Sequence, residues 1–382
     1  MASLYLHIPF CEHKCLYCDF YSVAPNGEPT HLDVLVERFL RALETEIELR
    51  ARDERFQVSY ETVFFGGGTP SLLSPRTIEN ILNHLARRFT LEPQAEVTLE
   101  TNPGTVDREK LRAFRSAGIN RLSIGIQSFH DDELRFLSRI HSAEQAKDCV
   151  RAAHAAGFEN VSVDLIFALP GQTLARWKSN LEQAIALAPQ HLSTYSLIVE
   201  PQTPLHRLVE TKQVVPLSAE ADAEMYEFTI DFLCSHGYEQ YEVSNFARPG
   251  YKSRHNSNYW NHQPYLGFGP SAHSFWQQRR WWNISNVVEY AARLQRGVLP
   301  VAGEEQLTLD QLRAEEIFLG LRSEGIDVAG FQKRYETNLL AVHRQTIEHL
   351  LSVRLATLEA NRLRLTSKGY ALCDEISSSL LC

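Results

Sequence analysis

Between Leu4 and Val199 six runs rich in β-branched and aromatic residues recur: "LYLHIPF", "ETVFFGG", "EVTLETN", "RLSIGIQ", "VSVDLIF" and "LSTYSLIV". The stretches between them, 33–50, 74–88 and 143–156 among others, place apolar residues at three- and four-residue spacing and predict amphipathic helices. Strand alternating with helix implies parallel strands joined by right-handed crossovers, and so an α/β chain whose strands form an open or closed barrel. Six units are too few for the eight-fold barrel. The expectation is a partial (β/α)6 barrel, open on one side, with ligands gathered at the C-terminal ends of its strands.

After Val199 the pattern changes. A helix over 219–236 leads into a Gly-, Asn-, Tyr- and Trp-rich region, 238–286, whose short runs predict irregular structure or small strands. This region is expected to cap the barrel mouth. From Thr308 the chain is helical again, and "RLRLTSKGYALCDEIS" reads as a short strand, a turn and a closing helix. That is the outline of a small winged-helix-like α+β module. The expected divisions are therefore 1–235 for the barrel, 236–300 for an irregular cap and 301–382 for the C-terminal module. A chain of 382 residues, 44% of them hydrophobic, has room for this arrangement. No stretch nears the roughly 18 apolar residues of a spanning helix, and the N-terminus has no basic segment followed by a long apolar one. A soluble, cytoplasmic protein is expected. The formal net charge of -9 argues against a broad electrostatic grip on nucleic acid.

Seven cysteines without a secretion signal fit a reducing compartment, where clustered thiols more often bind metal than form structural disulfides. Cys149, Cys234, Cys373 and Cys382 are scattered and read as small, chemically silent side chains. Cys11, Cys15 and Cys18 are different, because "HIPFCEHKCLYCDFYS" gathers them in one loop after the first strand. Thiolates at this spacing are soft ligands suited to zinc or an iron–sulfur cluster. A zinc site needs a fourth ligand, for which His7, His13 or a distant residue would have to serve, and the chain has no second CxxC pair. A cubane held by three cysteines leaves one iron open, which suits substrate or cofactor chemistry at a barrel mouth. Three structural thiols are the remaining alternative.

The C-x3-C-x2-C spacing, followed by "GGGTPS" at 66–71, resembles the radical S-adenosylmethionine (SAM) superfamily. The resemblance implies a [4Fe-4S] cluster on Cys11, Cys15 and Cys18 whose fourth iron chelates the amino and carboxylate groups of SAM. A single electron can then break the S–C5′ bond, so the cofactor carries the hard chemistry and the protein supplies position. Within the superfamily the chain resembles the oxygen-independent coproporphyrinogen oxidase family. On that resemblance Tyr5, Gly67, Gly68, Thr69, Glu100, Gln127, Arg139 and Asp164 occupy SAM-contacting positions. Their chemistry is compatible. Gly66, Gly67 and Gly68 let backbone approach a bound methionine moiety, or simply make a tight strand-to-helix turn. Gln127 and Asp164 suit ribose hydroxyls, Arg139 suits a carboxylate, and Glu100 suits an amine or ribose. Taken singly, each could equally be a buried polar group satisfied by backbone, and Arg139 a surface ion pair.

Two features separate branches of this family. The porphyrinogen decarboxylase branch carries a fourth cysteine two positions after the third, where this chain has Phe20. The stretch "HNSNYW", 255–260, matches the HNxxYW signature of the heme chaperone branch. The resemblance implies a protein that binds heme and a SAM-ligated cluster and passes heme to an acceptor protein, with a radical SAM enzyme, the coproporphyrinogen III decarboxylase or one of unassigned reaction, as the alternative. Phe20 weighs against catalysis of that decarboxylation. A neutral imidazole is a common heme ligand, which makes His255 the expected one, with Tyr259 and Trp260 as flat faces and Arg254 for a propionate. His262 and His273 are nearby alternatives. A His-Asn pair organising a turn, with Tyr-Trp as packing, is the structural alternative. No C-x-x-C-H motif for covalent attachment occurs. The acceptor itself is unspecified; one in a respiratory membrane would bring this protein to the membrane surface, and a homodimer is compatible with the sequence.

Overall fold

The computed structural model describes residues 2–25 and 29–381; Cys382 lies outside them. The expected strands form: β1 (Ala2–Ile8), β2 (Ser59–Gly67), β3 (Thr90–Thr101), β4 (Arg121–Gln127), β5 (Val161–Phe167) and β6 (His191–Ser196). They pair parallel in that order. Helices cross between them at Pro29–Ala51, Pro75–Arg88, Arg108–Ser116, Ala143–Ala155 and Leu174–Ala186. Local chemistry starts two of these helices where the sequence reading did, while the first begins at Pro29, four residues earlier than expected. The Ser74 hydroxyl accepts from the Thr77 amide, and Ser142 with Gln145 forms a reciprocal capping box. Helix Ala143–Ala155 turns Ala146, Cys149, Val150 and Ala153 inward, so Cys149 is a packed core side chain.

Alternation along each strand divides the sheet into an apolar outer face and a polar inner one. In β4, Leu122, Ile124 and Ile126 are fully buried under the helices. Arg121, Ser123, Gly125 and Gln127 share the opposite face, where the Ser123 hydroxyl donates to Asp164 of β5 at 3.0 Å. The lumen of the partial barrel is therefore hydrophilic.

The region expected over the mouth lies elsewhere. Residues 236–300 supply β7 (Glu239–Gln240), β8 (Asn245–Ala247), β9 (Tyr265–Phe268), β10 (His273–Trp276) and β11 (Arg279–Asn283). β8 runs antiparallel to β6, and β9 runs parallel to β1. With β12 (Val301–Gln306) they complete a sheet of 12 strands ordered β12-β11-β10-β9-β1-β2-β3-β4-β5-β6-β8-β7. An open parallel barrel leaves two strand edges with unpaired amides and carbonyls, and these segments pair both edges. The same region carries helix Arg254–Trp260, which packs against the N-terminal halves of β1, β2 and β3. Asn258 donates to Ser3 and Glu61, the His255 amide donates to Glu96, and the His255 ring meets Thr62. It closes the floor of the barrel, at the end opposite the cysteine loop.

Because β12 belongs to the large sheet, the small module begins after Gln306 rather than at residue 301. It comprises helix Leu309–Leu321, β13 (Ile326–Asp327), helices Val328–Tyr335 and Arg344–Ser352, and the hairpin β14 (Ala356–Glu359) and β15 (Arg362–Leu365). Helix, strand, helices and hairpin in this order are those of a winged helix. Leu321, Phe331, Leu363 and Tyr370 belong to a separate core. The module is pinned to the barrel by the Val243 amide on the Arg322 carbonyl at 2.8 Å and by the Arg280–Glu315 pair at 2.7 Å.

The floor helix makes His255 a stability determinant. Burial, reinforced by the Arg121 charge, pushes its imidazole down from 6.5 to about 3. The folded state keeps the ring neutral while the unfolded chain binds a proton below about pH 6.5. The stability it contributes is complete above that pH and is lost as the pH falls toward 3. In denaturant unfolding followed between pH 7 and 4, His255→Gln is expected to remove about one proton from the slope of stability against pH. An unchanged slope would contradict the neutral, buried assignment.

Candidate functional site

The cysteine loop leaves β1 at Ile8 and returns at Val23. The Cys11 amide donates to the Val23 carbonyl at 3.0 Å, and the Val23 amide to the Pro9 carbonyl at 2.6 Å. On one side the Leu205 amide holds the Leu16 carbonyl at 2.9 Å. The ends of the loop are thus fixed by backbone, while Cys11, Cys15 and Cys18 stay partly exposed.

The glycine run explains how the end of β2 reaches this loop. The Gly68 amide donates to the Ile8 carbonyl at 2.9 Å and the Thr69 amide to the Phe10 carbonyl at 2.7 Å. A Cβ on Gly68 would lie 2.6 Å from the Phe10 carbonyl oxygen. Gly67 takes φ +105°, and a Cβ there would strike the His7 ring at 2.6 Å. Close approach to β1 is what demands these glycines in the present arrangement.

Thr69 opens a polar relay that joins two of the three thiols. Its hydroxyl donates to Cys11 Sγ at 3.6 Å and accepts from Asn102 Nδ2 at 2.9 Å. Asn102 Oδ1 accepts from Arg139 Nη2 at 2.6 Å, and Arg139 Nη1 donates to Cys15 Sγ at 3.6 Å. A second bond from Arg139 to the Gly125 carbonyl, at 2.6 Å, ties the guanidinium to β4. Asn102 was not singled out from sequence; the only signal was its position in "LETNPG" just after β3. A small, open depression beside this relay is lined by Cys15, Thr69, Asn102, Arg139 and His141.

The donor set fits an iron–sulfur cluster. Burial raises the Cys11 and Cys18 thiols, Cys18 to about 11, and the thiols' mutual repulsion adds to this. Thr69 and Arg139 point hydrogen-bond donors at sulfur, the arrangement that stabilises ligated thiolates. Among the described residues no three His, Cys, Asp and Glu side chains are already gathered to hold a single metal ion. His7 offers zinc no fourth ligand, because its Nδ1 meets Tyr5 Oη at 3.1 Å and its Nε2 meets the Tyr21 carbonyl at 2.8 Å.

The remaining residues expected to contact SAM line the inner face beside the loop. Glu100 Oε2 accepts from the Gly67 amide at 3.1 Å. Burial, with the nearby Asp164 charge, pushes its carboxyl up to about 8. Asp164 accepts from Ser123 and, at 3.2 Å, from Ser162, and burial raises it as well. Gln127 ends β4 with φ +71°, a left-handed conformation that a non-glycine residue adopts at a cost. Tyr5 stacks on Phe64 with ring centroids 6.2 Å apart. Gly67, Gly68, Thr69, Glu100 and Arg139 thus meet at the loop, with Gln127 and Asp164 on the neighbouring strands.

The expected heme ligand does not join them. His255 is 1% exposed, with Nδ1 on the Thr62 hydroxyl at 2.7 Å and Nε2 on the Tyr259 hydroxyl at 2.9 Å. Neither nitrogen is free for iron, and the ring is sandwiched against Phe64 at 4.8 Å. As placed, it is a core histidine. Arg254 is likewise committed, to Glu61 at 3.1 Å and the Gln94 carbonyl at 2.7 Å. His262 stacks on Phe275 and pairs with Glu315 at 2.9 Å, while His273 is exposed. Phe20, in contrast, stands 62% exposed on the cysteine loop.

A six-stranded partial barrel with three thiols after its first strand and a glycine-run turn after its second defines a radical SAM protein. The Radical SAM superfamily model matches residues 5–184, and the HemN C-terminal domain matches 307–372. The chain belongs to the HemW family. It is 35% identical over 385 residues to the heme chaperone HemW of Bacillus subtilis, covering 100% of this chain and 99% of that one. It is 41% identical over 271 residues to the heme chaperone HemW of Escherichia coli, covering 71% and 69% of the two chains. In fold it superposes on the radical SAM coproporphyrinogen III oxidase HemN of Escherichia coli with a TM-score of 0.85 at 23% identity, over 99% of this chain and 89% of that one.

The relay makes a prediction for a residue that touches no expected iron. Asn102→Ala is expected to weaken cluster assembly roughly tenfold or more, the usual effect of losing a partner that orients a ligand. Iron and sulfide content after reconstitution at limiting iron measures this. Full occupancy at wild-type iron levels would contradict it.

Proposed function

We propose that this protein is a heme chaperone built on a radical SAM scaffold. It binds heme together with a [4Fe-4S] cluster and SAM, and it passes heme to an acceptor protein. The observation that carries this reading is the end-to-end match to proteins named heme chaperone, at 35% identity over the whole chain. Phe20 supports it, because an exposed aromatic ring stands where the decarboxylase branch has its fourth cysteine.

In this reading Cys11, Cys15 and Cys18 hold the cluster. Bound cluster and SAM together supply an electron donor and a scissile S–C5′ bond. Thr69 and Arg139 place donors against two of the sulfurs, and Asn102 fixes both by bonding each of them. Glu100, held up at about 8, is largely protonated at neutral pH and presents a hydroxyl as well as an acceptor. Asp164 is held by serine hydroxyls and Gln127 by the strained end of β4, so both are oriented before a ligand arrives. Tyr5, Gly67 and Gly68 complete the SAM-facing set.

The acceptor is a hemoprotein in the cytoplasm or at a membrane. No helix among the described residues is long and apolar enough to cross a bilayer, so contact with a membrane-bound acceptor would be peripheral. A homodimer is compatible with this role.

Reconstituted protein titrated with heme should give a saturable Soret spectrum, and mixing with an apo-hemoprotein should move that spectrum to the acceptor. Incubation with SAM, reductant and coproporphyrinogen III should leave the porphyrinogen unchanged by mass spectrometry. Cluster-dependent decarboxylated product, absent in Cys11→Ser, would overturn the chaperone reading.

A further inference from the structure

Helix Pro29–Ala51 and helix Val287–Gln295 lie side by side, and a groove of about 590 Å³ runs between them. Each helix gives it one stripe at i, i+3, i+4 and i+7. Arg38, Arg41, Ala42 and Thr45 come from the first, and Val288, Ala291, Ala292 and Gln295 from the second. Ala42 and Leu294 are buried and form its floor, while Val288, 49% exposed, and Ala292 stand on its rim. A volume of this size is ordinary for a site that takes a small organic molecule. The depression beside the thiol relay, in contrast, offers only about 20 Å³.

The groove is apolar along its floor and cationic along one wall. On these two helices Arg50 and Arg293 are engaged with Glu46 and Glu289. Arg38 and Arg41 are exposed and have no carboxylate partner among the described residues. Three positions apart, they are neighbours on one helix face, with Cβ atoms about 5–6 Å from each other. Two adjacent free cations beside an apolar slot match a flat apolar molecule with two anionic groups on one edge. Among the described residues no His, Cys, Met, Tyr or Lys side chain lines the groove, so nothing in it would bind a metal carried by that molecule. Both walls are tied to the cysteine loop. Phe39 of the first helix packs edge-on to Phe10 at 5.4 Å, and the Val287 amide at the start of the second donates to the Tyr21 hydroxyl at 2.9 Å.

We propose that this groove is a docking site for the porphyrin cargo, whose two propionates meet Arg38 and Arg41 while its ring lies against Val288, Ala291 and Ala292. A guanidinium fork matches a carboxylate in shape and charge, and the two propionates of heme leave the same edge of the ring. Held by its edge and its ring, the cargo keeps its iron open to a ligand from the acceptor, which suits release. This inference rests on the heme reading for the identity of the cargo, and it places that cargo between two outer helices rather than at His255.

The test titrates cluster-reconstituted wild type, Arg38→Gln/Arg41→Gln and Ala292→Trp with heme, with heme dimethyl ester, whose carboxylates are masked, and with metal-free protoporphyrin IX. All three positions are exposed, so the variants should melt as wild type does. Wild type should favour heme over the ester by about tenfold, the size of a charge-assisted contact, and should take up protoporphyrin IX about as tightly as heme. The arginine variant should lose the preference for heme and bind the ester as wild type does. Ala292→Trp, which fills the groove, should weaken all three by about tenfold or more. A preference for heme that survives in the arginine variant would overturn the proposal. So would heme binding that protoporphyrin IX does not reproduce, because the iron would then have a protein ligand elsewhere. Loss of binding to phosphatidylglycerol vesicles in the arginine variant, with its porphyrin binding intact, would overturn it in favour of lipid. Arginine-dependent uptake of protoporphyrin IX without saturable heme binding would overturn the heme reading and uphold the groove as a site for a porphyrin dicarboxylate. Binding of neither porphyrin to wild type would overturn both.

Discussion

A parallel sheet must have both faces covered, and in this protein the inner face is polar. That constraint organises the rest of the molecule. Helices bury the outer face with Leu, Ile and Val, but the inner face carries Glu96, Glu100, Arg121, Asp164 and His191, none of which can be left unpaired without penalty. At the floor, helix Arg254–Trp260 satisfies Glu96, Glu61 and Thr62 with its own amides and side chains. At the mouth, the Thr69–Asn102–Arg139 relay satisfies itself and ends on sulfur. Between the two, the Arg121 charge offsets the buried carboxyls of Glu100 and Asp164.

The two ends have different tasks. At the mouth, half-exposed thiols stand on a loop whose ends are held by backbone bonds, so the sulfurs retain freedom while their attachment does not. At the floor, every polar atom of His255 is spoken for, and the ring stacks on Phe64 beneath Tyr5. The HNSNYW stretch thus contributes architecture: it fixes the lower lumen on which Tyr5 and Phe64 rest. Its influence on a cofactor at the mouth passes through those rings rather than through a ligand bond.

How much of this could be read beforehand depended on sequence period. The six strands and their helices announce themselves because each strand carries β-branched or apolar residues at alternate positions over five or more residues and an amphipathic helix repeats every three or four. Strands β7 to β11 are two to five residues long, too short to show a period. β9 also pairs with β1, more than two hundred residues away, so nothing local specifies its partner. The thiols were legible as a group from spacing, but spacing left zinc and structural thiols open, and it took the resemblance to the radical SAM superfamily to point to a cluster. Asn102 was not, since a single amide after a strand has no pattern, and only the fold brings it between Thr69 and Arg139. His255 was ambiguous for a related reason: an imidazole looks the same in sequence whether its nitrogens face iron or, as here, hydroxyls of Thr62 and Tyr259.

The central claim is that three thiols on a pinned loop hold a cluster whose remaining iron meets SAM beside the relay. Low-temperature EPR of the reconstituted, reduced protein, recorded with and without SAM, tests it most directly. A [4Fe-4S]+ signal whose g-values shift when SAM is added, and which Cys11→Ser abolishes, is the predicted result. A signal indifferent to SAM, or one that persists without Cys11, would contradict the account.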